Sequence, residues 1–315
     1  MVSSGISVYP ATRLRPRGAV VDSGVMSTEP TGRRIRQYDV TISEIIVETP
    51  DTVTLVMTGS DRFEYKAGQF CTIDPHQFHV IGGMTRFLED LKHHKEPPRA
   101  YSMASAPHEL LAITIKEELY EPGATKYPPL LSPVLVHSIP LNSRMIISGF
   151  TGPYTFPDNI LDKTDHVVHV VAGSGSVPNW AMLKHAVKFM PQLRHSFVYS
   201  NKTWDDVIFR DALNQFCAEH CDKVRLVHCL TRQDVPEGAP PGTRRGRVSA
   251  DLLHELIPDP NAIMIYACGP ALSQHDRAAA REKGIEPTPR FMESVSAAVK
   301  EIGVPKDRFK TEAYG

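Results

Sequence analysis

Residues Val167 to Pro178 read Val-Val-His-Val-Val-Ala-Gly-Ser-Gly-Ser-Val-Pro. A short β-branched run ends in two glycine-containing steps and a proline, and an amphipathic stretch follows at once. This is the pattern of a strand feeding a helix through a turn with little side-chain bulk. Such a turn lets backbone N–H groups and the positive end of a helix dipole meet a phosphate.

The pattern continues to the end of the chain. Strands are expected at Val167–Val171, Ser196–Ser200, Val224–Leu230, Ala262–Ala267 and Arg308–Ala313. Helices are expected between them. The first covers Asn179–Met190, with Pro178 at its start and Trp180, Leu183, Val187 and Met190 on its apolar face. The others are Asp205–His220, Ser249–Leu256 capped by Ser249, Ala271–Lys283 stopped at Gly284, and Phe291–Ile302 ending at Gly303. Strands alternating with helices imply a parallel sheet covered on both faces, with ligands bound past the carboxyl ends of its strands. The glycine turns after Val171 and after Ala267 both fall there.

The first half reads differently. Short apolar and β-branched runs at Asp39–Val47, Thr52–Met57, Phe63–Ile73, Leu111–Lys116 and Arg144–Ile147 are broken by turn residues, which argues for an antiparallel barrel or sandwich. Gln77–Pro98 interrupts them. Its Met84, Phe87, Leu88 and Leu91 lie at helical spacing, followed by His93-His94-Lys95, so an inserted helix is expected. With 315 residues the chain has room for two cores, and a net charge of -1 gives no overall pull toward nucleic acid or an acidic membrane. No apolar run approaches the ~20 residues that span a bilayer. Five cysteines at irregular spacing suggest a reducing, cytoplasmic setting and match no four-thiolate iron–sulfur pattern. Cys217 and Cys221 read as two small residues on one helix face, and no metal site is expected. Residues 1–37, rich in Ser, Gly, Pro and Arg, read as a flexible extension without a secretory signal.

Arg99-Ala100-Tyr101-Ser102 would place a guanidinium and a ring on one face of a strand and a hydroxyl on the other. Arginine suits bidentate phosphate binding, and a tyrosine can lie against a planar ring. Alone, these residues are an ordinary strand. In order with Ala67-Gly68-Gln69-Phe70, Gly149-Phe150-Thr151-Gly152-Pro153-Tyr154, Gly173-Ser174-Gly175-Ser176-Val177-Pro178, Cys268-Gly269-Pro270 and Glu312-Ala313-Tyr314-Gly315, they resemble the ferredoxin–NADP reductase superfamily. The resemblance runs from about Tyr38 to the C-terminus.

It implies two domains: a flavin-binding antiparallel β-barrel over residues 38–160, with the helical insertion 77–98, and an α/β parallel-sheet NAD(P)-binding domain over 161–315. It further implies that Arg99 binds the pyrophosphate of FAD, Tyr101 flanks the flavin ring and Ser102 lies near its N5. Ile115 and Lys116 would follow the adenosine side. Pro129-Leu130-Leu131-Ser132 stands where relatives carry Gly-x-x-Ser, leaving the Leu131 N–H and Ser132 for the pyrophosphate and FMN as the other flavin. On the nicotinamide side, Gly173, Ser174, Gly175, Val177 and Pro178 would hold the dinucleotide pyrophosphate. Cys268, Gly269 and Pro270 would lie by the nicotinamide, and Asn201, Thr231 and Arg232 by the adenosine. Thr231-Arg232 favours NADPH over NADH, with Lys202 as a second cation. Ser102, Cys268, Glu312 and Tyr314 would organise hydride transfer, Tyr314 covering the flavin until the nicotinamide displaces it. Electrons would then leave singly for a separate ferredoxin, flavodoxin or iron-containing oxygenase. A flavin subunit that uses no nicotinamide, and a non-catalytic flavin-binding module, are the competing readings.

Overall fold

The computed structural model describes residues 35–120, 122, 125 and 127–314. Of the extension expected over residues 1–37, residues 1–34 lie outside the described residues, as does Gly315.

Six strands build the first sheet: β1 (Arg36–Thr49), β2 (Thr52–Thr58), β3 (Phe70–Ile73), β4 (Arg99–Ser102), β5 (Leu111–Lys116) and β6 (Arg144–Thr151). All their pairings are antiparallel, in the order β4-β3-β6-β1-β2-β5. Met103, directly after β4, bridges Ile113 of β5 and brings the two edges together, so the sheet curls into a barrel. Alternation along β1 turns Tyr38, Val40 and Ile42 inward, where they meet Leu55, Met57, Ile73, Ile113 and Ile147.

Helix α1 (Gly82–Lys92) occupies the insertion, as the spacing predicts, but most of its apolar stripe faces outward. Leu88 and Thr85 are its buried residues, while Met84, Phe87 and Leu91 are 44%, 57% and 51% exposed. The apolar stripe therefore points about a quarter turn away from the surface that α1 packs on. A short helix, α2 (Ser132–His137), follows β5, and α3 (Ile160–Lys163) precedes the second sheet.

The second sheet is built from β7 (His166–Ala172), β8 (Arg194–Asn201), β9 (Val224–Leu230), β10 (Arg244–Arg245), β11 (Ile263–Pro270) and β12 (Phe309–Tyr314). Every pairing is parallel, in the order β10-β9-β8-β7-β11-β12. Helices α4 (Ser176–Phe189), α5 (Arg210–Glu219), α6 (Ala250–Leu256), α7 (Gln274–Glu282) and α8 (Phe291–Glu301) connect the strands. All seven residues of β7 are buried, as a central parallel strand covered on both faces requires. Val177, Leu183 and Leu213 pack on one face against Phe197 and Tyr199, and Leu252 and Val295 pack on the other against Val168 and Ile265.

Two expected helices start late, each for a local reason. Ser273 caps α7 and shares a reciprocal capping box with Asp276, so Ala271 and Leu272 stay outside it. Before α5, Asp206 accepts hydrogen bonds from the Thr203 N–H and hydroxyl, and Phe209 sits in the left-handed region. The Phe209 N–H donates to Glu48 Oε2 of β1 at 3.1 Å, and the Lys184–Glu109 ion pair makes a second tie between the barrel and the α/β layers.

Candidate functional site

Strand order reverses between β7 and β11, because the chain runs outward to β8 on one side and crosses to β11 on the other. Their carboxyl ends form the crevice in which open α/β sheets bind ligands. Gly173 leaves β7 with a positive φ of 52°, and the turn Gly173–Gly175 leads straight into α4. Gly175 lies so close to β11 that a Cβ there would stand 2.3 Å from the Cys268 carbonyl oxygen. A side chain at this position would push the turn off the strand and close the crevice.

The crevice opens into a cleft of about 1070 Å³ that runs from the barrel to the α/β sheet. Arg99, Tyr101, Lys116, Leu131 and Ser132 line it from the barrel side, and Gly173, Ser174, Asn201, Thr231, Arg232 and Pro270 from the other. Residues far apart in sequence, expected on two cofactors, thus share one cavity.

Not all of the expected residues reach its wall. Ile115 points into the barrel core, Val177 and Pro178 are packed inside the first turn of α4, and Gly175 and Gly269 serve close packing. The Lys116 ammonium is held by both carboxylate oxygens of Asp51, at 2.6 and 2.5 Å. Arg99 donates to Glu96 Oε2 at 2.5 Å and to the Pro97 carbonyl at 2.7 Å. The Ser132 hydroxyl accepts from the Glu118 N–H at 3.1 Å. Asn201 lines the cleft, with its side-chain amide buried. The loops carrying Lys202 and Arg232 are held together by the Thr231 and Arg232 N–H groups, which donate to the carbonyls of Asn201 and Lys202 at 2.9 Å.

Beside the cleft, the barrel and the last strand of the α/β sheet meet. Tyr314 is the final residue of β12, tied down by pairing with Pro270 and by donation from the Ala271 N–H to its carbonyl. Its hydroxyl and Ser102 Oγ are 2.5 Å apart. Cys268 is fully buried, and burial pushes its thiol well above the usual range, with the neighbouring Glu312 carboxyl adding to the effect. Glu312, opposite Cys268 in the β11–β12 register, has a buried Oε2 without a partner, and burial pushes its carboxyl up to about 7. The four residues expected to organise hydride transfer are therefore neighbours, around a neutral thiol and a carboxyl that titrates near neutrality.

The cleft also gains residues that have no place in the sequence reading. Lys92 comes from the inserted helix, Tyr127 from the loop after β5, and Arg290 from the start of α8. Three arginines close in sequence part ways: Arg244 pairs with Glu255 and Arg245 with Asp234, while Arg247 lines the cleft.

Residues 170–275 match the "Oxidoreductase NAD-binding domain" family. The fold matches that of a ferredoxin–NADP⁺ reductase mutant from Plasmodium falciparum, in complex with 2′P-AMP, with a TM-score of 0.61 at 15% identity, covering 88% of this chain and 96% of that one. The chain has the ferredoxin–NADP reductase fold. By sequence it is similar to the ferredoxin reductase component of 3-ketosteroid-9-alpha-monooxygenase from Mycolicibacterium smegmatis, 29% identical over 92% of this chain and 68% of that protein. It is also similar to NADH oxidoreductase HCR of Escherichia coli, 26% identical over 73% of this chain and 59% of that protein. The chain spans about half the length of several curated relatives that it matches, 50% of one from Danio rerio and 59% of the Escherichia coli protein. Among the described residues, no helix is long and apolar enough to cross a membrane.

Proposed function

We propose that the chain is an FAD-dependent reductase that takes electrons from NADPH and passes them singly to a separate acceptor protein, a ferredoxin, a flavodoxin or an iron-containing oxygenase. The observation that carries this reading is the shared cleft, which has a cationic, aromatic wall from the barrel and a glycine turn from the α/β sheet. Five free cysteines support a reducing compartment such as the cytoplasm.

The residues present fit both groups. Tyr101 offers a half-buried ring, Arg99 and the backbone before α2 face the place for a pyrophosphate, and Gly173 and Ser174 leave room for a second one. Bound there, FAD and the nicotinamide would supply the redox chemistry, a hydride passing from one to the other and single electrons leaving afterwards. The protein sets distance and surroundings. Tyr314 occupies the seam against Ser102 and must swing aside to admit a nicotinamide. Its departure frees the Ser102 hydroxyl to donate a hydrogen bond to a flavin ring nitrogen. The Cys268 thiol and the protonated Glu312 carboxyl keep the seam uncharged below about pH 7.

Arg232, Lys202 and Arg247 at the far end of the cleft support NADPH, since a 2′-phosphate needs cations. NADH is the second reading, because curated relatives include an NADH oxidoreductase. Anaerobic mixing separates the two. The purified protein should be yellow, and NADPH should bleach it faster than NADH. Faster bleaching by NADH would reverse the coenzyme assignment, and a colourless protein that takes up no flavin would remove the reductase reading.

A further inference from the structure

The insertion places a fully buried carboxylate behind the barrel side of the cleft. Glu96 is 1% exposed, the most enclosed Asp or Glu among the described residues. Its two oxygens hold two different cations, Lys92 Nζ on Oε1 and Arg99 on Oε2, each at 2.5 Å. The Glu96 N–H is itself held, at 2.9 Å, by Glu89 Oε1, which also takes the His76 ring at 2.8 Å. A buried carboxylate is costly unless it is paired, and one cation would be enough to pair it. Here there are two. Both line the cleft and Glu96 does not, so two cations stand side by side at the cavity. The two cations can be no farther apart than the width of one carboxylate plus two hydrogen bonds. Each keeps donors that Glu96 does not use.

We infer that Lys92 is a second phosphate-binding residue, held beside Arg99 by Glu96, and that the pair grips a diphosphate rather than a single phosphate. This rests on the flavin reading of the cleft and goes beyond it. It gives the insertion a task, which is selection of a flavin dinucleotide over the mononucleotide. Arg99 meets the phosphate that both flavins carry, and Lys92 meets the one that only the dinucleotide adds. Glu96 is a positioning residue, because it fixes two long side chains that would otherwise lose rotamer freedom on binding. Lys92 Nζ also lies 4.5 Å from the centre of the Tyr127 ring, which steadies it on its open side.

The test uses the full chain stripped of flavin and titrated with FAD and with FMN. Lys92→Gln should raise the Kd for FAD about tenfold or more and that for FMN less than threefold, because the charge-assisted hydrogen bond to the second phosphate exists for FAD alone. Lys92→Arg should restore most of the FAD affinity. Equal losses for both flavins would mean that Lys92 only supports the fold, and an unchanged FAD affinity would also overturn the inference. If the unaltered chain binds neither flavin, the flavin reading falls first and the inference falls with it.

Discussion

The two sides of the cleft use cations in opposite ways. On the barrel side, Arg99 and Lys116 are committed to acidic partners, Glu96 and Asp51, and are fixed before any ligand arrives. On the α/β side Arg290 is paired with Asp276, but Arg232, Lys202 and Arg247 come from loops after strands, and it is the loop backbones that are tied. The contrast fits a resident group on one side and an exchanging one on the other. A pre-organised wall spends little entropy on binding and suits a cofactor that stays. Cations on loops steer a charged ligand in and let it leave, at the cost of sensitivity to salt.

Removing a loop cation should give the largest effect. Arg232→Ala should raise KM for NADPH about 30-fold or more, the weight of a charge-assisted phosphate contact, and leave KM for NADH within about twofold. Equal losses for both coenzymes would show that Arg232 serves the part they share and would erase its role in selection. On the barrel side, Arg99→Lys keeps a charge for Glu96 but loses the planar fork. FAD release should quicken about tenfold while KM for the nicotinamide coenzyme stays put. If the coenzyme KM moved as much as flavin release, the two walls would be one coupled site and the comparison would fail.

Legibility in the sequence follows the same division. The parallel sheet is readable because its strands are continuous apolar runs between helices with plain stop signals, such as Gly284 and Gly303, both at positive φ. The barrel strands alternate, and β5 matches its expected range at both ends. The placement of Ser102, Cys268, Glu312 and Tyr314 around one seam needs the β11–β12 register and a side-chain contact from β4 to β12, and no local pattern encodes these. The resemblance names the residues, and the β11–β12 pairing puts Cys268 opposite Glu312 and Pro270 opposite Tyr314. The insertion is least readable. Periodicity locates α1 but not the surface that covers it, and Met84, Phe87 and Leu91 of its apolar stripe are exposed. The adjacent His93-His94-Lys95 run masks Lys92 and Glu96, whose partnership depends on the chain turning back after the helix. A lone acid between basic residues looks like a solvated charge until its burial is known.

Glu312 lies at the seam between the two walls, and its effect is on stability rather than binding. Burial raises its carboxyl from the ordinary 4.5 to about 7 in the folded chain. The folded state therefore binds this proton more tightly than the unfolded state does, and Glu312 makes stability fall as pH rises from about 4.5 to about 7. Buried His169 and His195, whose values are pushed down by burial, act in the opposite direction over part of the same range, so the wild-type curve alone hides the contribution. Glu312→Gln isolates it, because glutamine carries no charge at any pH. Urea unfolding at pH 5 and pH 8 should show the variant gaining about 2 kcal/mol on the wild type between the two values, less than complete burial would give because some solvent still reaches the carboxyl. A variant that tracks the wild type at both pH values would mean that Glu312 ionises freely, and the seam would then carry a charge throughout the neutral range.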